Sequence, residues 1–179
     1  DEVEEALRRV EESNRRVKEE VERAVERVKR SDDDVRRLVE EMEREVRKLI
    51  DDIRRLAEAG KSADVVRKLI KEVEDKLKEV LERVRKLVET SKKLLDEILK
   101  RVEELVRRSK EELDKVLKDG SADKDEITEL KKHSERLLEE AERLVRDLKR
   151  HSDELLEEVE ERLRRLREDL KRLLDEVET

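Results

Sequence analysis

Apolar side chains recur along almost the whole chain at steps built from three and four residues. In the first third they stand at Val3, Val10, Val17, Val21, Val28, Val35, Val39, Met42, Val46, Ile50 and Ile53, a spacing that lines one side of an α-helix rather than one face of a strand. With about 100° of rotation per residue, the buried-type positions of this third fall within an arc of about 140°, and those of the other two thirds within about 120–140°. An arc of that width suits a helix that touches two neighbours. The other positions carry acids and bases in alternation, a solvated face laced by ion pairs between residues one turn apart.

Two glycines, Gly60 and Gly120, cut the pattern into three segments of nearly equal length. Each suits the left-handed position just beyond a helix C-terminus. Each precedes a residue able to cap the next helix: Ser62, with Asp64 in the first turn, and Asp123, which forms a capping-box spacing with Glu126. Ser121 completes the second turn. The prediction is helix 1 over about 2–58, a turn at 59–62, helix 2 over about 63–118, a turn at 119–123 and helix 3 over about 124–178, all in a single bundle spanning 1–179. The expected fold is all-α, an up-down-up antiparallel three-helix bundle of long, nearly straight helices of about 55 residues, each about 80 Å in length.

The repeat that carries the stripe is eighteen residues long, not seven. Val17, Val21, Ala24 and Val28 become Val35, Val39, Met42 and Val46; Leu77, Val80, Val84 and Leu87 become Leu95, Ile98, Val102 and Leu105; Ala141, Val145 and Leu148 become Val159, Leu163 and Leu166. Eighteen residues complete five turns at about 3.6 per turn, so the stripe stays on one side of an untwisted helix.

Serine interrupts the stripe with the same period, at Ser13 and Ser31, Ser91 and Ser109, and Ser134 and Ser152. Asn14 joins Ser13, while Thr90, His133 and His151 lie at the stripe's edge. In an antiparallel pair, facing residues have a constant summed number. Ser13 with Ser109 and Ser31 with Ser91 both total 122, centred on Lys61, while Ser109 with His133 and Ser91 with His151 both total 242, centred on Ser121. Two polar layers are therefore expected, about 27 Å apart. One holds Ser13, Asn14, Ser109, His133 and Ser134, and the other Ser31, Thr90, Ser91, His151 and Ser152. Buried polar groups need partners, so such layers should be hydrogen-bond networks that penalise any other register.

Composition narrows the function classes. Charged residues make up 58% of the chain, with no aromatic, proline or cysteine, a long-helix composition whose sustained period sets it apart from a disordered chain. The net charge of −7 is spread through 55 acids and 48 bases with no basic block, so no nucleic-acid partner is expected. No segment approaches the length of an apolar membrane span, and the first residues do not read as a signal peptide, so the chain is expected to be soluble, with no membrane partner and no targeting address. The cysteine count leaves the redox compartment open.

Candidate chemistry is sparse. His133 beside Ser134 and His151 beside Ser152 cannot act as base and nucleophile on each other, because neighbours on a helix point about 100° apart. Ser109 could approach His133 from another helix, but no oxyanion-hole loop or nucleophile elbow accompanies the pair. One imidazole per layer is too little for a metal centre. No catalytic, cofactor-binding or metal-binding residue is assigned, and no cofactor is expected.

With its glycine turns, eighteen-residue repeat and matched polar levels, the chain resembles de novo designed, parametrically generated helical bundles with buried hydrogen-bond networks. The likeness covers all 179 residues and includes stretches such as Glu154 to Leu163 and the absence of glutamine and aromatics. Spectrin-like repeats, BAR domains and apolipoprotein-like helices fit less well, since the core tryptophan, the basic concave face and the proline punctuation have no counterpart here. The resemblance implies a stable scaffold with no natural biochemical activity, not an enzyme, that requires no partner. The second functional class is a protein-interaction module: a homo-oligomer, or half of a designed hetero-oligomer that accepts a further helix in a groove. The stripe widths favour a closed monomer, whereas the doubled Leu137-Leu138 and Leu173-Leu174 favour an extra seam. Burial of His133 and His151 would add a pH response, because protonating an imidazole shut in a core costs stability.

Overall fold

The computed structural model describes residues 1–60, 62–120 and 123–178. Three α-helices account for nearly all of them: α1, Glu2–Glu58; α2, Ala63–Lys118; and α3, Lys124–Glu178, of 57, 56 and 55 residues. No glycine or proline falls inside any of them, so nothing in the sequence interrupts propagation once the first turn is set.

Each helix start is fixed by a side-chain oxygen that accepts a hydrogen bond from a backbone N–H of the first turn. Asp1 Oδ1 accepts from Val3 N at 3.2 Å, Ser62 Oγ from Asp64 N at 3.2 Å, and Asp123 Oδ1 from Asp125 N at 3.0 Å. At the other ends, Gly60 N donates to Ala57 O and Gly120 N to Leu117 O. The two glycines have φ of +79° and +69°, values at which a side chain clashes with the backbone. Lys61, Ser121, Ala122 and Thr179 lie outside the described residues, and with them the expected turn role of Ser121.

The residues group into two compact units, each built from part of all three helices. Unit 1 comprises residues 1–29 and 91–151, and unit 2 residues 30–90 and 152–179. A residue of a long helix touches only partners at its own level, so one helix can serve two packing units.

In unit 1 the buried aliphatics form three clusters. Ala6 and Val10 pack with Leu113, Val116 and Ile127. Val17 packs with Val102, Val106, Leu137 and Ala141, and Val28 with Leu95, Val145 and Leu148. Through these clusters the numbers rise along α1 and α3 and fall along α2, which makes α2 antiparallel to both. Ion pairs across the helices give the same register. Arg9 with Glu112 and Glu20 with Arg101 total 121, while Lys131 with Asp114, Lys110 with Glu135 and Lys149 with Asp96 total 245.

In unit 2 the buried aliphatics form a single cluster. It runs from Val35 to Ile53 on α1, from Val66 to Val88 on α2 and from Leu155 to Leu173 on α3. The register is the same, with Glu45 and Lys76 totalling 121, and Arg85 with Glu160 and Arg67 with Glu178 totalling 245. Among the described residues, no helix is long and apolar enough to cross a membrane.

Candidate functional site: buried polar residues

The polar residues of the stripe are the chemical exceptions in an aliphatic interior. In unit 1, Asn14, Ser109 and Ser134 are buried at 5%, 3% and 0% exposure, Ser13 is half-buried and His133 is exposed. The Ser134 hydroxyl donates to Asn14 Oδ1 at 2.9 Å. This bond ties α1 to α3 between residues whose numbers differ by 120, the offset that follows from the totals of 122 and 242. The other end of the same amide, Asn14 Nδ2, is buried without a hydrogen-bond partner.

Of the second set of polar residues, Ser91 and His151 belong to unit 1 and Ser31, Thr90 and Ser152 to unit 2. Ser91 and Ser152 are buried, Ser31 is half-buried, and Thr90 and His151 are exposed. Ser152 Oγ is buried without a hydrogen-bond partner.

Three of the sequence-derived layer members therefore need correction. Thr90, His133 and His151 lie at the surface, because an edge position on the helical wheel sends the side chain out past the neighbouring helix rather than into the seam. The exposure of both imidazoles removes the premise of a pH response through buried histidine. His133 is thus exposed whereas Ser109 is buried. Among the described residues, no cluster of metal-ligating side chains forms.

Two carboxylates missed by the sequence reading carry much of the remaining polar burial. Glu43 on α1 pairs with Arg162 on α3, and also with Arg47 at 3.7 Å; its side chain is 13% exposed. Glu20 on α1, 15% exposed, faces Arg101 on α2 at 3.6 Å. The signal for the first pair lay in the repeat: eighteen residues earlier, Glu43 corresponds to Val25 and Arg162 to Leu144. Two apolar positions that change together into an acid and a base mark a contact.

The surface chemistry is local. Each unit carries the same exposed arrangement, in which one glutamate receives two successive arginines and the first arginine reaches a second glutamate a turn later. These are Glu104 with Arg107, Arg108 and Glu111, and Glu161 with Arg164, Arg165 and Glu168. The hydrogen bond from Arg107 holds the Glu104 carboxyl below its ordinary value, and Arg164 does the same for Glu161.

Depressions on the surface are shallow or charged. In unit 1, an open one of about 810 Å³ lies between the start of α1 and the end of α2 and is crossed by the Arg9–Glu112 pair. A second, of about 240 Å³, lies between α1 and α3 and is lined by Val17, Val21, Leu137, Ala141 and Leu144, with Lys18, Glu22 and Glu140 at its rim.

This arrangement has a counterpart among solved structures. A protein described as a computationally designed three helix bundle aligns over 98% of this chain and 90% of its own, with a TM-score of 0.63 and 18% sequence identity. The fold is a three-helix bundle. No protein-family model matches the chain, and no curated protein does. The resemblance to designed helical bundles thus has its structural parallel in a protein of that description.

Proposed function

We propose that the chain is a designed structural scaffold without natural biochemical activity, whose buried polar residues specify helix register. The observation that carries this is the Ser134–Asn14 hydrogen bond across α1 and α3. A slide of α3 by one turn would set Leu130 or Leu138 opposite Asn14 and strand both polar groups, at about 1–3 kcal/mol each. An aliphatic level in the same place would oppose such a slide far less, since one leucine substitutes readily for another. The same role is assigned to Ser91 and Ser152, which stand eighteen residues from Ser109 and Ser134.

The test replaces Asn14, Ser109 and Ser134 by Ile, Val and Leu and reads register directly. Spin labels on Arg16→Cys and Arg136→Cys, both exposed and in unit 1, report the α1–α3 distance in a chain that has no other thiol. One narrow distance is expected in the parent, and a broadened or doubled one in the triple variant. A single narrow distance in both would remove the register role.

The groove between α1 and α3 in unit 1 favours a second role, that of an interaction module, because its aliphatic lining would accept an apolar side chain from another helix. Light scattering at micromolar concentration separates the two. A mass of 21.5 kDa supports the self-contained scaffold, and a multiple of it supports assembly.

A further inference from the structure

We propose that the polar level of unit 1 is a binding site for one internal water molecule, which accepts a hydrogen bond from Asn14 Nδ2. The inference builds on the role proposed for that level and adds to it a ligand. Two independent observations lead there.

The first is the unpartnered donor. Asn14 is 5% exposed, its Oδ1 is engaged by Ser134, and its Nδ2 has no acceptor. A buried donor left in that condition destabilises the fold. Proteins commonly relieve such a cost with an internal water that makes about three hydrogen bonds. A water at Nδ2 would accept from the amide and still have two protons to donate. Ser109 and Ser134, the two buried hydroxyls of the same level, each offer oxygen lone pairs to receive one.

The second observation is room. Thirty-six residues along the repeat, unit 2 fills the equivalent positions with Ile50, Val73 and Leu170, all buried. Asn14, Ser109 and Ser134 together carry three fewer side-chain heavy atoms than those three residues. Each unit keeps the same inter-helix register, with ion-paired residues totalling 121 and 245. With the helix separation kept as well as the register, three fewer atoms would leave space of the order that a water needs, bordered by the polar groups of Asn14, Ser109 and Ser134.

The chain supplies its own probe, because Asn14 is its one carboxamide side chain; there is no other asparagine and no glutamine. In a uniformly 15N-labelled sample, the side-chain NH2 pair is a single resonance pair that belongs to Asn14. Water-selective NOE and ROE spectra of the full chain are expected to show cross peaks of opposite sign at both NH2 protons, the signature of a water that tumbles with the protein. Oxygen-17 relaxation dispersion, which detects long-lived water and is blind to hydroxyl protons, excludes relay through Ser109 or Ser134: a contribution is expected in the parent that is lost in Asn14→Leu. Absence of the cross peaks in the parent, or an oxygen-17 dispersion unchanged in Asn14→Leu, overturns the proposal. So does a cross peak from the NH2 protons to the His133 ring, which would show an imidazole acting as the acceptor. Any of these outcomes leaves the spin-label distances free to support the register role, so the two ideas stand or fall separately.

Discussion

Units 1 and 2 are cut from one eighteen-residue pattern, and at one matched level and one matched edge they place polarity in opposite ways. Unit 1 has Asn14, Ser109 and Ser134 in its interior and Val25 and Leu144 at the α1–α3 edge. Unit 2 has Ile50, Val73 and Leu170 in its interior and the Glu43–Arg162 pair at the equivalent edge. Size follows the same division, with Ala24 and Ala141 in the first unit where the second has Met42 and Val159. The result is a core in three clusters in one case and a continuous core in the other. Period alone decides which way a helix faces. Under the register role proposed above, what stands at each level decides whether the seam contributes cohesion or discrimination.

Substitutions at matched levels break this comparison most directly. Leu170→Ala, in the continuous core, is expected to cost about 2–5 kcal/mol through the cavity it leaves. Ser134→Ala, at the equivalent level of unit 1, removes one atom and is expected to cost about 1–3 kcal/mol through the acceptor it strands on Asn14. Guanidinium denaturation of the two variants checks the order; equal losses would mean that the polar level packs like the aliphatic one.

The turns sharpen the comparison by acting alike in both units. A Cβ at Gly60 or Gly120 would meet nothing within 4 Å, so the penalty of Gly→Ala is conformational, roughly 1–2 kcal/mol at a left-handed φ. The two single variants should lower the denaturation midpoint by similar amounts, and a large difference would reveal a packing role for one turn.

Edge exchange has a smaller effect. Glu43→Val with Arg162→Leu copies the apolar edge of unit 1 into unit 2. It is expected to change stability by less than about 1 kcal/mol, since a partly exposed ion pair contributes little net. Arg162→Leu alone should be the more damaging change, because it leaves the largely buried Glu43 with only Arg47, and a double-mutant cycle measures the coupling.

Acid has the smallest site-specific effect. Glu104 and Glu161 have folded values lowered from about 4.5 by their arginines. Their contribution is therefore complete above the unfolded carboxylate value and is lost as pH falls through the lower folded one. Melting midpoints are expected to match at pH 7.5 and 5 and to fall only below about pH 4. In Glu104→Gln the acid-induced drop should be slightly smaller. A decline already present between 7.5 and 5 would mean that groups other than these carboxylates set the acid response.

The helices and their pairing were legible because period, glycine and cap residues act locally and agree with one another. Ser62 and Asp123 accept the first-turn bonds that their chemistry invites. The difference of 120 between Asn14 and Ser134 was implicit in the index arithmetic. Side-chain direction was less legible. Thr90, His133 and His151 satisfy the arithmetic but point outward, since a sum of indices fixes height and says nothing about azimuth. Glu43 and Arg162 escaped notice for a related reason: each reads alone as one more surface charge, and only their joint departure from Val25 and Leu144 carries information.

The interior placement of two particular side chains bears on chemical ageing. Oxidation and deamidation attack thioether and carboxamide groups, and this chain has one of each, Met42 and Asn14. Both are shut away, at 8% and 5% exposure. Covalent damage of either kind is therefore gated by local parting of the helices, so oxidation of Met42 and deamidation of Asn14 should be slower in the folded chain than in the unfolded one by the fraction of time these levels stand open.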